Sequence, residues 1–243
     1  MLRIHDLHIV RGQGSEAHHV FLPQLSLRPG EVLAITGESG CGKSTLLEAI
    51  GLLYPPHQLK AFSLQDNQHT QDIAQLLLEQ QHQQLANLRA RQLGFVLQNG
   101  GLLPYLSVQD NIRLPSQLVG TEPEPALFTR IIQSLKLSPL LKKMPAQLSI
   151  GERQRTAFAR AIAHRPRLLL ADEPTAALDP ENAENLFTLF LQLVKEEGMM
   201  ALVVCHDRHL VETFQLPCLR AHFQPEGTGL SPSFTGRGSY FVR

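Results

Sequence analysis

The segment EVLAITGESGCGKSTLLEAIGLL, residues 31–53, constrains the fold more than any other part of the chain. EVLAIT (31–36), with Val32 to Ile35 apolar, reads as a buried strand, and KSTLLEAIGLL (43–53) carries its apolar residues at helical spacing. Between them Gly37, Gly40 and Gly42 stand in the pattern G-x-x-x-x-G-K-S. Glycines let the backbone approach an anion with its N–H groups turned inward, and the helix that follows adds the positive end of its dipole. A strand feeding through such a loop into a helix is the context that a phosphate-binding loop requires. Lys43 would then reach the β- and γ-phosphates of a nucleoside triphosphate, and Ser44 would ligate Mg²⁺. Thr45 would add backbone and hydroxyl contacts to phosphate, with Glu38, Ser39 and Cys41 completing the loop.

The flanking sequence alternates strand and helix. Residues 2–10 and 19–27 read as short strands, and Arg28-Pro29-Gly30-Glu31 as the turn into the next. Tyr54-Pro55-Pro56 ends the helix after the glycine loop. The stretch 63–93 is rich in glutamine, yet Leu76, Leu77, Leu85 and Leu88 recur at helical spacing, which predicts a solvated helix. LGFVLQ (93–98) is a second strand, NGGLLPYLS (99–107) a loop, and helices fill 108–165, interrupted by Gly120, Pro123, Pro125, Pro139 and Pro145. RLLLAD (167–172) is a strand, and 181–197 an amphipathic helix with Leu186, Phe187, Phe190, Leu193 and Val194 on one face and Gly198 as its stop. ALVVCH (201–206) is the last clear strand; after about 216 the pattern loosens into proline, glycine and serine. This alternation indicates an α/β fold, a parallel sheet with helices on both faces.

Composition removes several function classes. Lys plus Arg number 22 and Asp plus Glu 22, so no global field recruits nucleic acid or anionic lipid. Three cysteines, Cys41, Cys205 and Cys218, form neither a CxxC pair nor an even set, which fits reduced thiols in the cytosol. The start MLRIHDLHIV lacks a signal-peptide pattern, and the longest apolar stretch, MMALVVC (199–205), is strand-sized. The chain is expected to be soluble, with any membrane role coming through a partner.

Two further motifs carry chemistry. In LLLADEPT (168–175) an apolar strand delivers Asp172 and Glu173 to one edge of the sheet. Asp172 would hold the Mg²⁺ water shell, and Glu173, pointing differently, would polarise an attacking water as general base. LSIGERQR (148–155) places Ser149 where a helix starts, so its hydroxyl and the N–H groups of Ile150 and Gly151 would face an anion. Taken alone, Ser149 and Glu152 are a serine cap with a capping box.

The ordered set of glycine loop, Gln98, LSIGERQR, LLLADEPT, Ala177-Leu178-Asp179 and His206 resembles the nucleotide-binding subunit of an ABC transporter. LRARQLGFVLQ (88–98), ADEPTAALD (171–179) and LVVCHD (202–207) are similar to the bacterial lipoprotein-release and macrolide-export group, which also includes the cell-division ATPase partner. The likeness covers about residues 2 to 230, with 231–243 as a C-terminal tail. It implies a P-loop NTPase (RecA-like) parallel sheet core, an N-terminal antiparallel β subdomain and an inserted α-helical subdomain at about 99–160. It implies ATP and Mg²⁺ as ligands, with Ser44, Gln98 and Asp172 serving the metal. Gln98 would also contact the attacking water and relay its state to the loop that meets the membrane subunit. His206 would contact the γ-phosphate, Asp179 would communicate across a dimer, and Ser149, Ile150, Gly151 and Glu152 would meet ATP held on the opposite subunit.

The implied partners are an integral-membrane permease subunit and a second copy of the chain or a homologous ATPase subunit, with no nucleic acid. The implied location is the cytoplasmic side of the inner membrane. The implied work is export or mechanotransmission; an importer subunit for amino acids or similar solutes shares nearly every catalytic residue. A soluble ABC ATPase of translation or repair would call for fused cassettes, zinc-binding cysteines, a coiled coil or a basic surface.

Two positions depart from that pattern. Ile150 replaces a glycine common in the signature, which is tolerable where its φ stays negative. No tyrosine or tryptophan precedes residue 54, and Arg11 occupies roughly the place of the aromatic that stacks on adenine. His18, His19 and Phe21 are weaker candidates for that contact.

Overall fold

A computed structural model of the chain describes residues 1–14, 17–65, 69–226 and 229–236. Among these, ten strands form one sheet in the order β5-β4-β1-β2-β10-β9-β3-β8-β7-β6. Its parallel half consists of β3 (Val32–Thr36), β6 (Leu93–Val96), β7 (Leu168–Asp172), β8 (Met200–Val204) and β9 (Cys218–Glu226). Its antiparallel half consists of β1 (Leu2–Arg11), β2 (His18–Leu27), β4 (Ala61–Gln65) and β5 (Thr70–Asp72).

The central strands are apolar on both faces because both faces are covered. Leu33, Ile35, Leu168, Leu170, Leu202 and Val204 join a core with Leu46, Leu47 and Ile50 of α1 (Lys43–Ile50). The alternate residues Val32, Leu169, Ala171, Ala201 and Val203 join a second core. There they meet Phe158 and Ile162 of the long helix over Ile150–Ile162 and Phe187 and Phe190 of that over Pro180–Glu196. The period of two along each strand thus separates the glycine-loop helix from the signature helix by the thickness of the sheet.

The remaining helices are α2 (Ile73–Leu78), α3 (His82–Gln92), α4 (Val108–Leu118), α5 (Pro125–Ser134), α6 (Ile150–Ile162), α7 (Pro180–Glu196) and α8 (Arg208–Thr213). α4 passes through Pro115 without ending there. Together with α5 it lies between β6 and α6 in the chain.

The structure corrects three expectations. The glutamine-rich stretch is not one helix: it contains the end of β4, β5, α2 and α3, with Asp72 capping α2 by accepting from the Gln75 N–H at 3.0 Å. Leu85 and Leu88 are buried, so the polar composition conceals an inward face. The helix after the glycine loop stops at Ile50, because Leu52 adopts φ 60. Past 216 the chain is not loose. β9 pairs with β3, and β10 (Gly229–Gly236) turns back antiparallel to β9 and meets β2 at Ser233↔Phe21. The expected boundary between domain and tail at 230 therefore falls inside a strand, and the tail residues 237–243 lie outside the described residues.

Candidate functional site

The glycine loop leaves β3 and closes on the start of α1. Gly42 has φ 89, and a Cβ there would lie 2.5 Å from Val20 Cγ2, so both conformation and packing demand glycine. Lys43 is buried, and its Nζ donates to the carbonyls of Glu38 at 2.7 Å and Gly37 at 3.1 Å. The ammonium thereby folds back inside its own loop, within the ring of backbone where phosphate would lie. Cys41 is buried beneath Lys43, whereas Glu38, Ser39, Gly40 and Ser44 stand at the surface or partly exposed. α1 has no acidic residue in its first turn and no side-chain cap, so its N–H groups are free to meet an anion.

Three of the expected catalytic residues converge at the same edge of the sheet. Asp172 is paired with Val204, which pairs with Ile35, so the ends of β7, β8 and β3 align beside the loop. Glu173 follows with φ 48, in the left-handed region. Its Oε1 lies 2.8 Å from His206 Nε2, and its Oε2 accepts from Gln98 Nε2 at 3.2 Å. Segments 98, 173 and 206 thus meet at one carboxylate. Beside His206, burial pushes the Cys205 thiol up to about 11, which keeps it an unreactive thiol.

The residues present suit Mg²⁺. Asp172 Oδ1 is buried without a hydrogen-bond partner, which leaves a carboxylate oxygen for a hard cation. The Ser44 hydroxyl is exposed at the start of α1, and Gln98 adds an amide oxygen at the same edge. Among the described residues no group of three or more His, Cys, Asp or Glu could hold a metal by itself.

At the signature, the capping box forms in full. Ser149 Oγ accepts from the Glu152 N–H at 3.2 Å, and the Ser149 N–H donates to Glu152 Oε2 at 2.7 Å. That last bond holds the Glu152 carboxyl below its ordinary value. Ile150 is the first residue of α6 with no positive φ, and its side chain is 48% exposed. Asp179 caps α7 by accepting from the Asn182 N–H at 3.1 Å and its side-chain amide at 2.7 Å, which lowers its pKa.

Arg11 lies beside the loop. It donates to Thr45 Oγ1 at 3.3 Å and Glu48 Oε2 at 2.6 Å, and its guanidinium carbon stands 5.1 Å from the centre of the Tyr54 ring. His18 faces the same way, with its Nε2 3.0 Å from where a Cβ on Gly42 would be. His19 and Phe21 do not. Strand alternation turns them to the other face, where His19 bonds His8 at 3.0 Å and Phe21 stacks on it at 4.1 Å.

Several supporting residues escape sequence reasoning. Gln154 donates to the Gln98 carbonyl, Arg160 to those of Gly100 and Gly101, and buried Asn111 organises the loop at 103–107 through four hydrogen bonds. Gln154 and Arg160 occur in the amphipathic run after the signature, where polar residues at inward positions are the available signal.

Residues 23–176 match the family model described as ABC transporter. The chain is similar to the lipoprotein-releasing system ATP-binding protein LolD 1 of Rhodospirillum rubrum. The two are 40% identical over 203 residues, 82% of this chain and 85% of that protein. With LolD of Paramagnetospirillum magneticum the identity is 42% over 189 residues, 76% and 79% of the two chains. The fold is similar to that of the ATP-binding cassette MJ0796 in a dimeric post-hydrolysis state bound to ADP and Pi. The TM-score is 0.74 at 28% identity, covering 90% of this chain and 94% of that one.

Proposed function

The chain belongs to the ABC transporter family, and we propose that it is the ATP-hydrolysing subunit of a lipoprotein-release type exporter. On this proposal two copies, or one copy and a homologous ATPase subunit, work head to tail beneath a separate integral-membrane subunit at the cytoplasmic side of the inner membrane. As a member of this family the chain is an ATPase. Among the described residues no helix is long and apolar enough to cross a membrane. The names of the LolD relatives support the export role, and the dimeric state of MJ0796 supports the paired arrangement.

The observation that carries the proposal is the meeting of Gln98, Glu173 and His206 at one carboxylate beside the glycine loop. Lys43 exchanges its loop carbonyls for the β- and γ-phosphates, and the N–H groups of residues 37–45 line the rest of the polyphosphate. Ser44, Asp172 and Gln98 would hold Mg²⁺, which supplies charge neutralisation across the phosphates. Glu173 accepts the proton of the attacking water while Gln98 orients that water and His206 contacts the γ-phosphate. Arg11, already fixed by Glu48 and Tyr54, offers a flat guanidinium to the base.

Gly151 supports the second, shared half-site. A Cβ there would meet only Arg155 Nη1 at 3.6 Å and Leu178 Cδ2 at 3.7 Å, ordinary contacts, and its φ is not positive. Among the described residues nothing requires glycine there, though glycine costs a helix about 1 kcal/mol relative to alanine. The open surface over Ser149 and Gly151 therefore serves something from outside, the γ-phosphate of ATP bound to the other subunit.

Glu173→Gln tests this directly. The variant is expected to elute as an ATP-dependent dimer while turnover falls by at least about a hundredfold. A variant that stays monomeric with Mg-ATP, and that no membrane partner drives to dimerise, would overturn the shared-site arrangement.

A further inference from the structure

Arg11 stands beside the glycine loop with both of its terminal nitrogens engaged. Nη2 donates to Glu48 Oε2 at 2.6 Å, and Nη1 to Thr45 Oγ1 at 3.3 Å. Such bonds leave from the edge of the planar guanidinium, so its two faces stay available for stacking. Tyr54 takes one face, with its ring centre 5.1 Å from the guanidinium carbon. The ring is anchored in turn, because the Tyr54 hydroxyl donates to the Val10 carbonyl at 2.8 Å. Ring and guanidinium are therefore tied to consecutive residues of β1. The Arg11 side chain remains 46% exposed, which leaves surface for a further contact beside Thr45.

Glu48 is out of place by charge alone. It lies on α1, the helix whose N-terminus faces the phosphate loop, and its negative charge opposes a bound polyphosphate. The ion pair with Arg11 is half exposed, so it adds little to the stability of the fold. What the carboxylate supplies is direction. An unrestrained arginine samples many rotamers, and ordering it at the moment of binding costs entropy. Held by Glu48 and backed by Tyr54, this guanidinium is ordered beforehand.

We propose that Glu48 and Tyr54 are positioning residues that make Arg11 a preset platform for the nucleobase, which stacks as a third layer over guanidinium and ring. Thr45 marks the phosphate end of the platform, and the base lies on the face of Arg11 turned away from Tyr54. The inference rests on the assignment of Arg11 to the base made above, and it adds what holds Arg11 ready.

The test measures binding of Mg-ATP and of inorganic tripolyphosphate, which has no base, to the purified full chain and its variants. Tyr54→Leu and Glu48→Gln should each weaken ATP binding by about three- to tenfold, the worth of a stacked cation. Tripolyphosphate affinity and kcat should stay within about twofold, and Tyr54→Phe, which keeps the ring, should bind ATP nearly as well as the parent. Glu48→Gln changes a half-exposed helix position and covers the case in which Tyr54→Leu folds poorly. Charge alone predicts the opposite sign for Glu48→Gln, tighter binding of both ligands, and that result would overturn the proposal. So would equal weakening of both ligands, which marks a merely structural role, or no change in either variant. Arg11→Leu separates the two levels of the argument. Selective loss of ATP binding in Arg11→Leu, with the Glu48 and Tyr54 variants unchanged, sinks this inference alone. Unaltered ATP binding in Arg11→Leu sinks the base contact as well.

Discussion

Ile150 is the residue at which this chain departs most visibly from the signature of its family, and its surroundings decide what the departure means. It begins α6 with helical backbone, so it bears none of the strain that a left-handed position would impose on a β-branched side chain. Its neighbour Gly151 is retained at the second helical position, and the cap at Ser149 is complete. Ile150→Gly is therefore expected to change ATP turnover by no more than about twofold while destabilising the fold by up to about 1 kcal/mol, the cost of glycine in a helix. Steady-state hydrolysis and thermal melting of both proteins check this. A rise of about tenfold in the variant would mean that the branched side chain stands in the path of the phosphate. The residues proposed for phosphate, metal and signature roles stand out in the sequence because each follows a fixed spacing from a glycine or a strand end. Glu48 and Tyr54 around Arg11 are not, since a guanidinium finds its partners by folding, not by sequence distance.

Helix α6 shows how elements can be recognised while their attachments are missed. Its apolar period and its Ser149–Glu152 box are local and predict both the helix and its start, whereas Gln154, Arg160 and His164 act across 56 to 71 residues of sequence. The glutamine-rich stretch misleads for the related reason that β4 takes its pairing from β1 and β5 from β4, partners that composition cannot reveal. Beyond the end of α6, His164 donates from Nε2 to the Leu93 carbonyl at 3.0 Å, fastening the helix to β6, while its Nδ1 is buried without a partner. Burial holds the imidazole below its ordinary value of 6.5, in spite of the opposing hydrogen bond to Leu93. The unfolded chain then binds the extra proton more readily, so stability from this residue is complete above pH 6.5 and is lost as pH falls below it. His164→Gln, which keeps an amide donor and does not titrate, should show a shallower loss of melting temperature between about pH 7 and 5. Equal slopes for the two proteins would exclude His164 as a source of acid sensitivity.

At the scale of the whole molecule, the hairpin of β9 and β10 joins an antiparallel half-sheet to a parallel one. β9 bonds β3, which leads into the glycine loop, and β10 reaches β2, which is paired to the strand bearing Arg11. The sequence conceals this because proline, glycine and serine dominate the segment and only a few inward residues, such as Leu219 and Phe234, carry the apolar signal. Phe234 is fully buried in the core shared by β1, β2 and α1, so it ties the phosphate-loop side of the sheet to the antiparallel half. Replacing it with alanine removes a buried ring and leaves a cavity, at a cost of about 3–5 kcal/mol. For a chain of this length that corresponds to a fall in melting temperature of roughly 10 °C. Because the two halves share one sheet and one core, the fall should appear as a single transition displaced downward, with circular dichroism and calorimetry agreeing. Two resolved transitions in Phe234→Ala, with the parallel half melting near the wild-type temperature, would show that the halves are separable units and that the hairpin merely lies across them.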